Sequence, residues 1–211
     1  DVVRIDHFIG VTQYYAIPAG SEDGKTGEWL KGPGKKLTDA INMVIGDTKI
    51  IAEDLGIFVP EVKELLEKTG YPGMKIIEFA FSGDRFNEHL PHMYSPNSVV
   101  YGGTHDNETL AGWWKSITPA EQKMARDYLC DQYTPQSKLG KSLIGLILRS
   151  RSALCVIPMQ DYMGLDNRSR INKPSTVGTN WKWRLGENDL TEDLKDEIRG
   201  MTLRYGRMNW G

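Results

Sequence analysis

The chain has 211 residues, of which 39% are hydrophobic, so it is long and apolar enough to bury a core and is not an intrinsically disordered segment. Its 26 Lys and Arg residues nearly balance its 28 Asp and Glu residues, which leaves a formal net charge of -2 at pH 7. This balance argues against nucleic acids and membrane surfaces as partners, because both attract an excess of positive charge. No apolar run reaches the roughly 20 residues of a membrane span.

Short β-branched runs alternate with amphipathic stretches along the chain. The runs predict strands at 2–6, 49–53, 74–79, 98–102 and 153–158. Their nearly continuous apolar character is typical of strands that are covered on both faces. The stretches between them predict helices at 38–45, 60–68, 119–132 and 139–150. Pro60 suits a first helical turn, and Gly70 suits a helix end.

This alternation predicts an α/β fold with a parallel sheet. A doubly wound sheet and a (β/α)8 TIM barrel both satisfy it. The positions of three carboxylates favour the barrel, since Asp6, Glu53 and Asp106 each lie at or just beyond the C-terminal end of a predicted strand. In barrel enzymes, catalytic residues occupy that rim.

The two carboxylates Asp6 and Glu53 suit the cleavage of a glycosidic bond. A retaining mechanism needs an ionised carboxylate roughly 5 Å from a protonated one. Arg4 precedes Asp6 by two residues, so it shares a strand face with Asp6 and would keep it ionised. The apolar residues 50–52 before Glu53 predict partial desolvation, which favours the protonated form that a general acid needs.

Structural interpretations of the same residues remain open. Asp6 alone would most often be a turn or cap residue, and Asp54 competes with Glu53 as the functional carboxylate. The pair 106–107 could cap a helix that opens at Glu108. Among the histidines, His7 and His105 lack metal-ligand spacing, and no nucleotide-binding motif is present, so neither a metal nor a cofactor is expected.

Two stretches, 18–34 and 161–184, are predicted to be long ordered loops, because both contain tryptophans. Trp29, Trp181 and Trp183 could stack on a sugar ring or pack their loops against the protein. Cys130 and Cys155 lie in apolar runs and are predicted to be buried free thiols.

Three segments resemble, in order, signature segments of the amylomaltase-type 4-alpha-glucanotransferases of the α-amylase clan. They are Arg-Ile-Asp-His-Phe at 4–8, Ala-Glu-Asp-Leu-Gly at 52–56 and Gly-Thr-His-Asp-Asn at 103–107. Residues 112–114, 170–172 and 180–184 are similar to further family segments. The resemblance therefore runs through nearly the whole chain.

The resemblance implies a role for each matching residue. Asp6 would be the nucleophile, Glu53 the general acid/base and Asp106 the transition-state stabiliser. The residues that would contact the sugar are Arg4, His105, Asn172 and Trp29. The implied partners are α-1,4-glucans and maltooligosaccharides, without metal or cofactor. The implied location is the cytoplasm, or the plastid of a plant.

Family members have three barrel strands before the first signature segment. We therefore expect residues 1–211 to form a single partial barrel domain of about five strands, the fourth to the eighth, without the N-terminal strands. Open sheet edges would favour self-association. A catalytically inactive fragment that binds glucans weakly, and an α-glucan hydrolase, are the alternatives.

Overall fold

The structure is a computed structural model that describes residues 1–56 and 59–208. Within these ranges the chain forms seven strands and eight α-helices, arranged in two compact units. The first unit contains residues 1–74 and 97–99, and the second contains residues 75–96 and those from 100 onward.

The first unit is built around one pair of parallel strands. Its elements are β1 (Val2–Ile5), α1 (Ile9–Thr12), β2 (Gln13–Ala16), β3 (Glu28–Lys31), α2 (Lys35–Val44), β4 (Lys49–Ala52) and α3 (Pro60–Thr69). Strand β1 pairs with β4 in parallel, with Val2 opposite Lys49 and Ile5 opposite Ala52. The core of this unit consists of Phe8, Ile9, Val11, Ile50, Ala52, Val62, Leu65 and Tyr71.

Helix α3 confirms both of its predicted boundary signals. Pro60 occupies the first turn, where its missing N–H has no partner to lose. Gly70 ends the helix in the left-handed conformation, with φ of 70°. Helix α2 begins three residues earlier than predicted, at Lys35.

The predicted loop at 18–34 is wrong in its second half, because β3 pairs there with β2 in an antiparallel hairpin. Tyr15 lies opposite Trp29 in the register, and their rings meet edge to face with centroids 5.4 Å apart. Cross-strand aromatic pairs of this kind stabilise a hairpin. The pairing depends on residues on both sides of the Gly-rich segment, so the composition of that segment alone does not predict it.

Three further strands form another sheet in the order β5 (Gly73–Ile76), β6 (Ser98–Tyr101) and β7 (Leu154–Val156). Strand β5 is shorter than predicted, because residues 77–79 turn into a 3₁₀ helix. The remaining helices are α4 (Leu110–Ser116), α5 (Pro119–Leu129), α6 (Gln136–Leu148), α7 (Met159–Tyr162) and α8 (Glu192–Arg204). The sequence analysis did not predict α1, α7 or α8, and it considered a helix near α4 only as an alternative that opens at Glu108.

Helix α5 begins at a capping box, in which the side chains of Thr118 and Glu121 each bond the other's backbone N–H. The helix ends at Leu129 because Cys130 adopts the left-handed conformation, with φ of 53°. Both cysteines are free, as predicted. The predicted burial is wrong for Cys130, which is exposed at this helix end, and Cys155 is partly buried.

The core of the second unit surrounds α6. Leu143, Ile144 and Ile147 of this helix are fully buried. Trp113 and Trp114 of α4 belong to the same core. None of the helices in the described part of the chain is long and apolar enough to cross a membrane.

The predicted strands all appear, although they differ in length from the predictions. Together with the β2–β3 hairpin, they form sheets of two, two and three strands in the part of the chain that the structure describes. The parallel β1–β4 pair and the intervening helices confirm the α/β class. A partial barrel of about five strands, and a single domain over residues 1–211, stay predictions.

Replacing Leu143 by Ala should lower the free energy of unfolding by about 2–5 kcal/mol, because the side chain is fully buried and leaves a cavity. Lys138→Ala on the exposed face of the same helix is the control and should change it by less than about 0.5 kcal/mol. Urea denaturation measures both. Equal effects of the two substitutions would contradict the assignment of α6 to the core.

Candidate active site

Carboxylates occur at the C-terminal ends of all five predicted strands. Asp6 and Glu53 follow β1 and β4 directly, and Glu78 lies two residues beyond β5. Asp106 and Asp161 lie in the segments that follow β6 and β7. Loops at this end of parallel strands are where α/β enzymes place their catalytic groups.

Asp6 is an exposed carboxylate that is paired with Arg4. The Nη2 atom of Arg4 lies 2.7 Å from Oδ1 of Asp6, as the strand spacing predicted. The Arg4 side chain is only 25% exposed and also donates from Nε to the sulfur of Met74 at 3.2 Å. Asp6 is 62% exposed, so its carboxylate is oriented by a fixed cation and remains open to solvent.

Glu53 is held by backbone N–H groups on both of its carboxylate oxygens. His7 donates from its backbone nitrogen to Oε2 at 2.6 Å, and Leu55 donates to Oε1 at 2.9 Å. The backbone N–H of Phe8 also bonds the carbonyl of Glu53 at 2.9 Å. The Glu53 side chain is therefore fixed against the residues that follow Asp6.

The backbone at His7 is unusual, because its φ of 50° lies in the left-handed region that non-glycine residues rarely adopt. His7 and Phe8 donate their successive N–H groups to the side chain and the backbone of Glu53, respectively. Strained backbone of this kind persists where its surroundings enforce it, often at functional sites.

The side chain of Asp54 accepts a hydrogen bond from a different part of the chain than the side chain of its neighbour Glu53. Its Oδ1 accepts the backbone N–H of Met74 at 2.7 Å, at the start of β5. Met74 is fully buried, so this bond satisfies a donor that water cannot reach. Asp54 therefore has a structural role, because it satisfies this backbone donor at the start of β5.

The register of β1 and β4 places Asp6 and Glu53 side by side. Ile5 lies opposite Ala52, and the two carboxylates are the next residue on each strand. Residues opposite each other on parallel strands project to the same face. The sequence analysis predicted that both would lie at a sheet rim, and the register brings them to the same point of it.

Asp106 belongs to the loop between β6 and α4 and is held at both its backbone and its side chain. The Nδ2 atom of Asn172 donates to its Oδ1 at 2.6 Å, and Nη2 of Arg170 donates to its carbonyl at 2.8 Å. The Nε2 atom of His105 lies 3.4 Å from the same carboxylate oxygen. The structure thus brings three of the predicted site residues together.

The alternative role for residues 106–107, capping a helix that opens at Glu108, is wrong. Helix α4 begins at Leu110, and its N-cap is Thr109, whose hydroxyl accepts the N–H of Gly112. The side chain of Asn107 instead accepts hydrogen bonds from the N–H and hydroxyl of Thr104 at 2.9 and 2.8 Å. The Asp106 carboxylate is consequently not used as a helix cap.

Exposed aromatic side chains occur in both units. In the second unit, the ring of Trp181 lies 5.5 Å from that of His105 and is 56% exposed. In the first unit, Trp29 projects from β3, is 51% exposed and packs one edge against Tyr15. Trp183 is partly buried. Trp29 therefore both stabilises the hairpin and presents an exposed face.

Two further acids, Glu78 and Asp161, were missed as site residues by the sequence analysis. Burial raises the pKa of Glu78 to about 9, and the negative charges of Asp161 and Glu108 add to this rise, while the cation of Arg170 opposes it. Burial raises the pKa of Asp161 to about 6, against the opposing hydrogen bond from the N–H of Leu110. The sequence held a signal for Glu78, because this residue is the last but one of the predicted strand 74–79.

Within residues 1–56 and 59–208, no group of three or more His, Cys, Asp or Glu side chains is arranged to hold a metal ion. Paired Asp and Glu residues are the groups that glycoside-processing enzymes use.

Comparisons with known proteins also point to glycoside-processing enzymes. The sequence model of the 4-alpha-glucanotransferase family matches residues 1–190. A 4-alpha-glucanotransferase of Clostridium butyricum is 43% identical over 208 residues, which are 98% of this chain and 42% of the relative. One from Streptococcus pneumoniae is 42% identical over 212 residues, covering 99% of this chain and 41% of the relative.

Among solved structures, the amylomaltase from Streptococcus agalactiae in complex with acarbose matches with a TM-score of 0.91 and 36% identity. The match covers 98% of this chain and 41% of that one. The chain belongs to the 4-alpha-glucanotransferase family. It spans about two fifths of the length of the curated relatives that it matches.

Glu53 and Asp54 should differ in their effect on stability. Asp54→Ala should lower the free energy of unfolding by about 1–3 kcal/mol, because it leaves the buried N–H of Met74 without a partner. Glu53→Gln keeps an acceptor for one backbone N–H and should cost less. Thermal and urea unfolding measure both variants, and a larger loss for Glu53→Gln would contradict the structural role of Asp54.

Glu78→Gln should stabilise the protein increasingly as pH rises. Because the folded-state pKa is raised to about 9, folded Glu78 keeps a proton that the unfolded chain releases above its ordinary value near 4.5. The contribution of Glu78 to the free energy of unfolding of the wild type is therefore fully present below about pH 4.5 and is lost as pH rises towards 9.

The carboxamide cannot ionise, so the melting temperature of Glu78→Gln minus that of the wild type should grow from pH 5 to pH 9. Glu187→Gln, at an exposed position of the same unit, is the control and should show no such trend. Differential scanning fluorimetry across this range measures the difference. A difference that is constant with pH would show that Glu78 ionises normally in the folded chain.

Proposed function

We propose that the chain carries the catalytic residues of a 4-alpha-glucanotransferase, which moves α-1,4-glucan segments between maltooligosaccharides by a retaining double displacement. The observation that carries this proposal is the register that sets Asp6 beside Glu53. Neighbouring strands lie about 4.8 Å apart, and the carboxyl groups of retaining enzymes are about 5–5.5 Å apart.

In the first step, an oxygen of Asp6 bonds to the anomeric carbon of the donor glucan as the glycosidic C–O bond breaks. Glu53 gives its proton to the departing oxygen, which leaves as a hydroxyl group on the released sugar. Arg4 supports this role of Asp6, because its cation lies 2.7 Å from the carboxylate and orients it.

In the second step, the hydroxyl group of an acceptor sugar gives its proton to Glu53 and attacks the anomeric carbon, and Asp6 leaves as a carboxylate. The backbone N–H groups of His7 and Leu55 support both steps, because they hold the Glu53 carboxylate in one orientation. Transfer prevails over hydrolysis when the acceptor sugar reaches the intermediate before water does.

Asp106 is the proposed transition-state stabiliser, by hydrogen bonds to ring hydroxyls as positive charge develops on the sugar. Its exposed carboxylate and the support of Asn172 and Arg170 favour this role. The proposed sugar contacts are Arg4, His105, Asn172 and Trp29. Trp29 is 51% exposed, which supports stacking of its ring on a sugar face.

The wider assignment follows from family membership. We propose α-1,4-glucans and maltooligosaccharides as substrates, supported by a relative of 36% identity that was solved in complex with acarbose. We assign the strands that end at the predicted rim to a partial (β/α)8 barrel of about five strands, within a single domain. Self-association through open sheet edges, and a location in the cytoplasm or plastid, remain predictions.

Incubation of the 211-residue chain with maltotriose tests this function. We expect glucose together with a ladder of longer maltooligosaccharides, resolved by size. Asp6→Asn should lower the rate by at least about 10³-fold, because the amide cannot form the glycosyl-enzyme.

Asp47→Asn is the matched control, since Asp47 is an exposed acid of the same unit, and it should keep the wild-type rate. Glucose and maltose without longer products would indicate an α-glucan hydrolase instead. A folded wild-type chain that forms no products would overturn the proposal for this chain and favour the inactive alternative. Circular dichroism of each sample establishes that it is folded.

A further inference from the structure

A buried acid, Glu78, contacts the loop that carries Asp106. The proposed mechanism does not use this acid. The carboxyl group of Glu78 accepts a hydrogen bond from the backbone N–H of Glu108, two residues after Asp106. The backbone N–H of Glu78 donates to the carbonyl of Gly102 at 3.4 Å. Glu78 thus contacts the loop at its beginning and near its end.

The carboxyl group of Glu78 also packs closely against the backbone of the loop. A Cβ atom on Gly103 would lie 2.6 Å from Oε1 of Glu78, so the loop can approach the carboxyl group only because this residue has no side chain. Oε1 is buried and has no hydrogen-bond partner in the described part of the chain. A carboxylate in this position would have one oxygen without solvation, which is costly.

A second buried acid lies under the following part of the loop. Oδ1 of Asp161 accepts the backbone N–H of Leu110 at 2.8 Å. Its Oδ2 is buried, has no hydrogen-bond partner among the described residues, and would lie 3.0 Å from a Cβ atom on Gly102. Two acids under one loop repel each other when both are ionised, so one proton is retained there.

The cation that bonds Asp106 is anchored to the same group of residues. Nη1 of Arg170 lies 3.9 Å from Oε1 of Glu108, and the Nδ2 atom of Asn167 donates to the same oxygen at 2.7 Å. Arg170 in turn donates to the carbonyl of Asp106 at 2.8 Å. The charged groups that act on Glu78 are therefore Asp161, Glu108 and Arg170.

We propose that Glu78 is a positioning residue for Asp106, whose uncharged carboxylic acid supports the loop of residues 102–108 from below. Ionisation of Glu78 would place a second negative charge beside Asp161 and Glu108 and would displace the loop, and with it Asp106. The inference rests on the proposed function for its catalytic consequence, whereas the loop support itself can be measured without activity.

The loop support is tested by following the backbone carbonyl and nitrogen resonances of residues 103–108 in the labelled 211-residue chain by carbon-detected NMR from pH 6 to 10. We expect these resonances to shift together with a midpoint near pH 9, the raised pKa of Glu78. In Glu78→Gln, which keeps an acceptor for the N–H of Glu108, the midpoint should be absent. Glu187→Gln is the matched control and should keep it.

The catalytic consequence is tested with maltotriose. Glu78→Gln should match the wild-type kcat at pH 7 and exceed it severalfold at pH 9.5, with KM unchanged within about twofold. Glu78→Leu, which removes the hydrogen bond to the loop, should lower kcat about tenfold at both pH values. A residue that only stabilised the fold would change neither the pH profile of kcat nor its ratio to KM.

The outcomes separate the inference from the function on which it rests. A wild-type chain without transfer products refutes the proposed function of this chain, and the loop titration then decides the inference alone. A titration with its midpoint near pH 9 that disappears in Glu78→Gln supports the positioning role. Loop resonances that do not titrate near pH 9, or that titrate equally in Glu78→Gln, overturn it, as does full kcat in Glu78→Leu.

Discussion

The parallel pairing of β1 with β4 is the constraint on which the proposed chemistry depends. Because Ile5 lies opposite Ala52, the next residue on each strand is a carboxylate, and both emerge at the same point. A slip of one residue would turn one carboxylate towards the other face of the sheet. The buried side chains around Phe8 and Ile50 oppose such a slip, since they would lose their places in the core.

The candidate carboxylates Asp6 and Asp106 are exposed, but the side chains that support them are less accessible. Asp6 is oriented by Arg4, which is mostly buried, and Asp106 is held by Arg170, whose side chain is 16% exposed. Preorganised groups of this kind do not have to reorient during a reaction. In the second unit, the buried acids Glu78 and Asp161 bond backbone N–H groups that follow Asp106 in the chain.

The sequence predicted most elements, and its errors have a common physical origin. Helix α3 was predicted well because Pro60 and Gly70 act locally on backbone conformation. The β2–β3 hairpin was missed because it depends on the contact of Tyr15 with Trp29 across a Gly-rich segment. Strand 74–79 was predicted too long, because Ile77 and Phe79 extend the apolar run although residues 77–79 form a 3₁₀ turn, and the sequence pattern does not distinguish the two.

By itself, the sequence determined the α/β class, the strand-end carboxylates and the family, because each depends on residue type and order along the chain. It could also predict the pair of Arg4 with Asp6, whose spacing follows from strand geometry. Only the tertiary structure showed that Asp54 accepts the buried N–H of Met74 whereas Glu53 accepts the N–H groups of His7 and Leu55, and it revealed Glu78 and Asp161 as buried acids. Those properties depend on which distant backbone N–H groups and charges surround a side chain, and sequence spacing does not specify them.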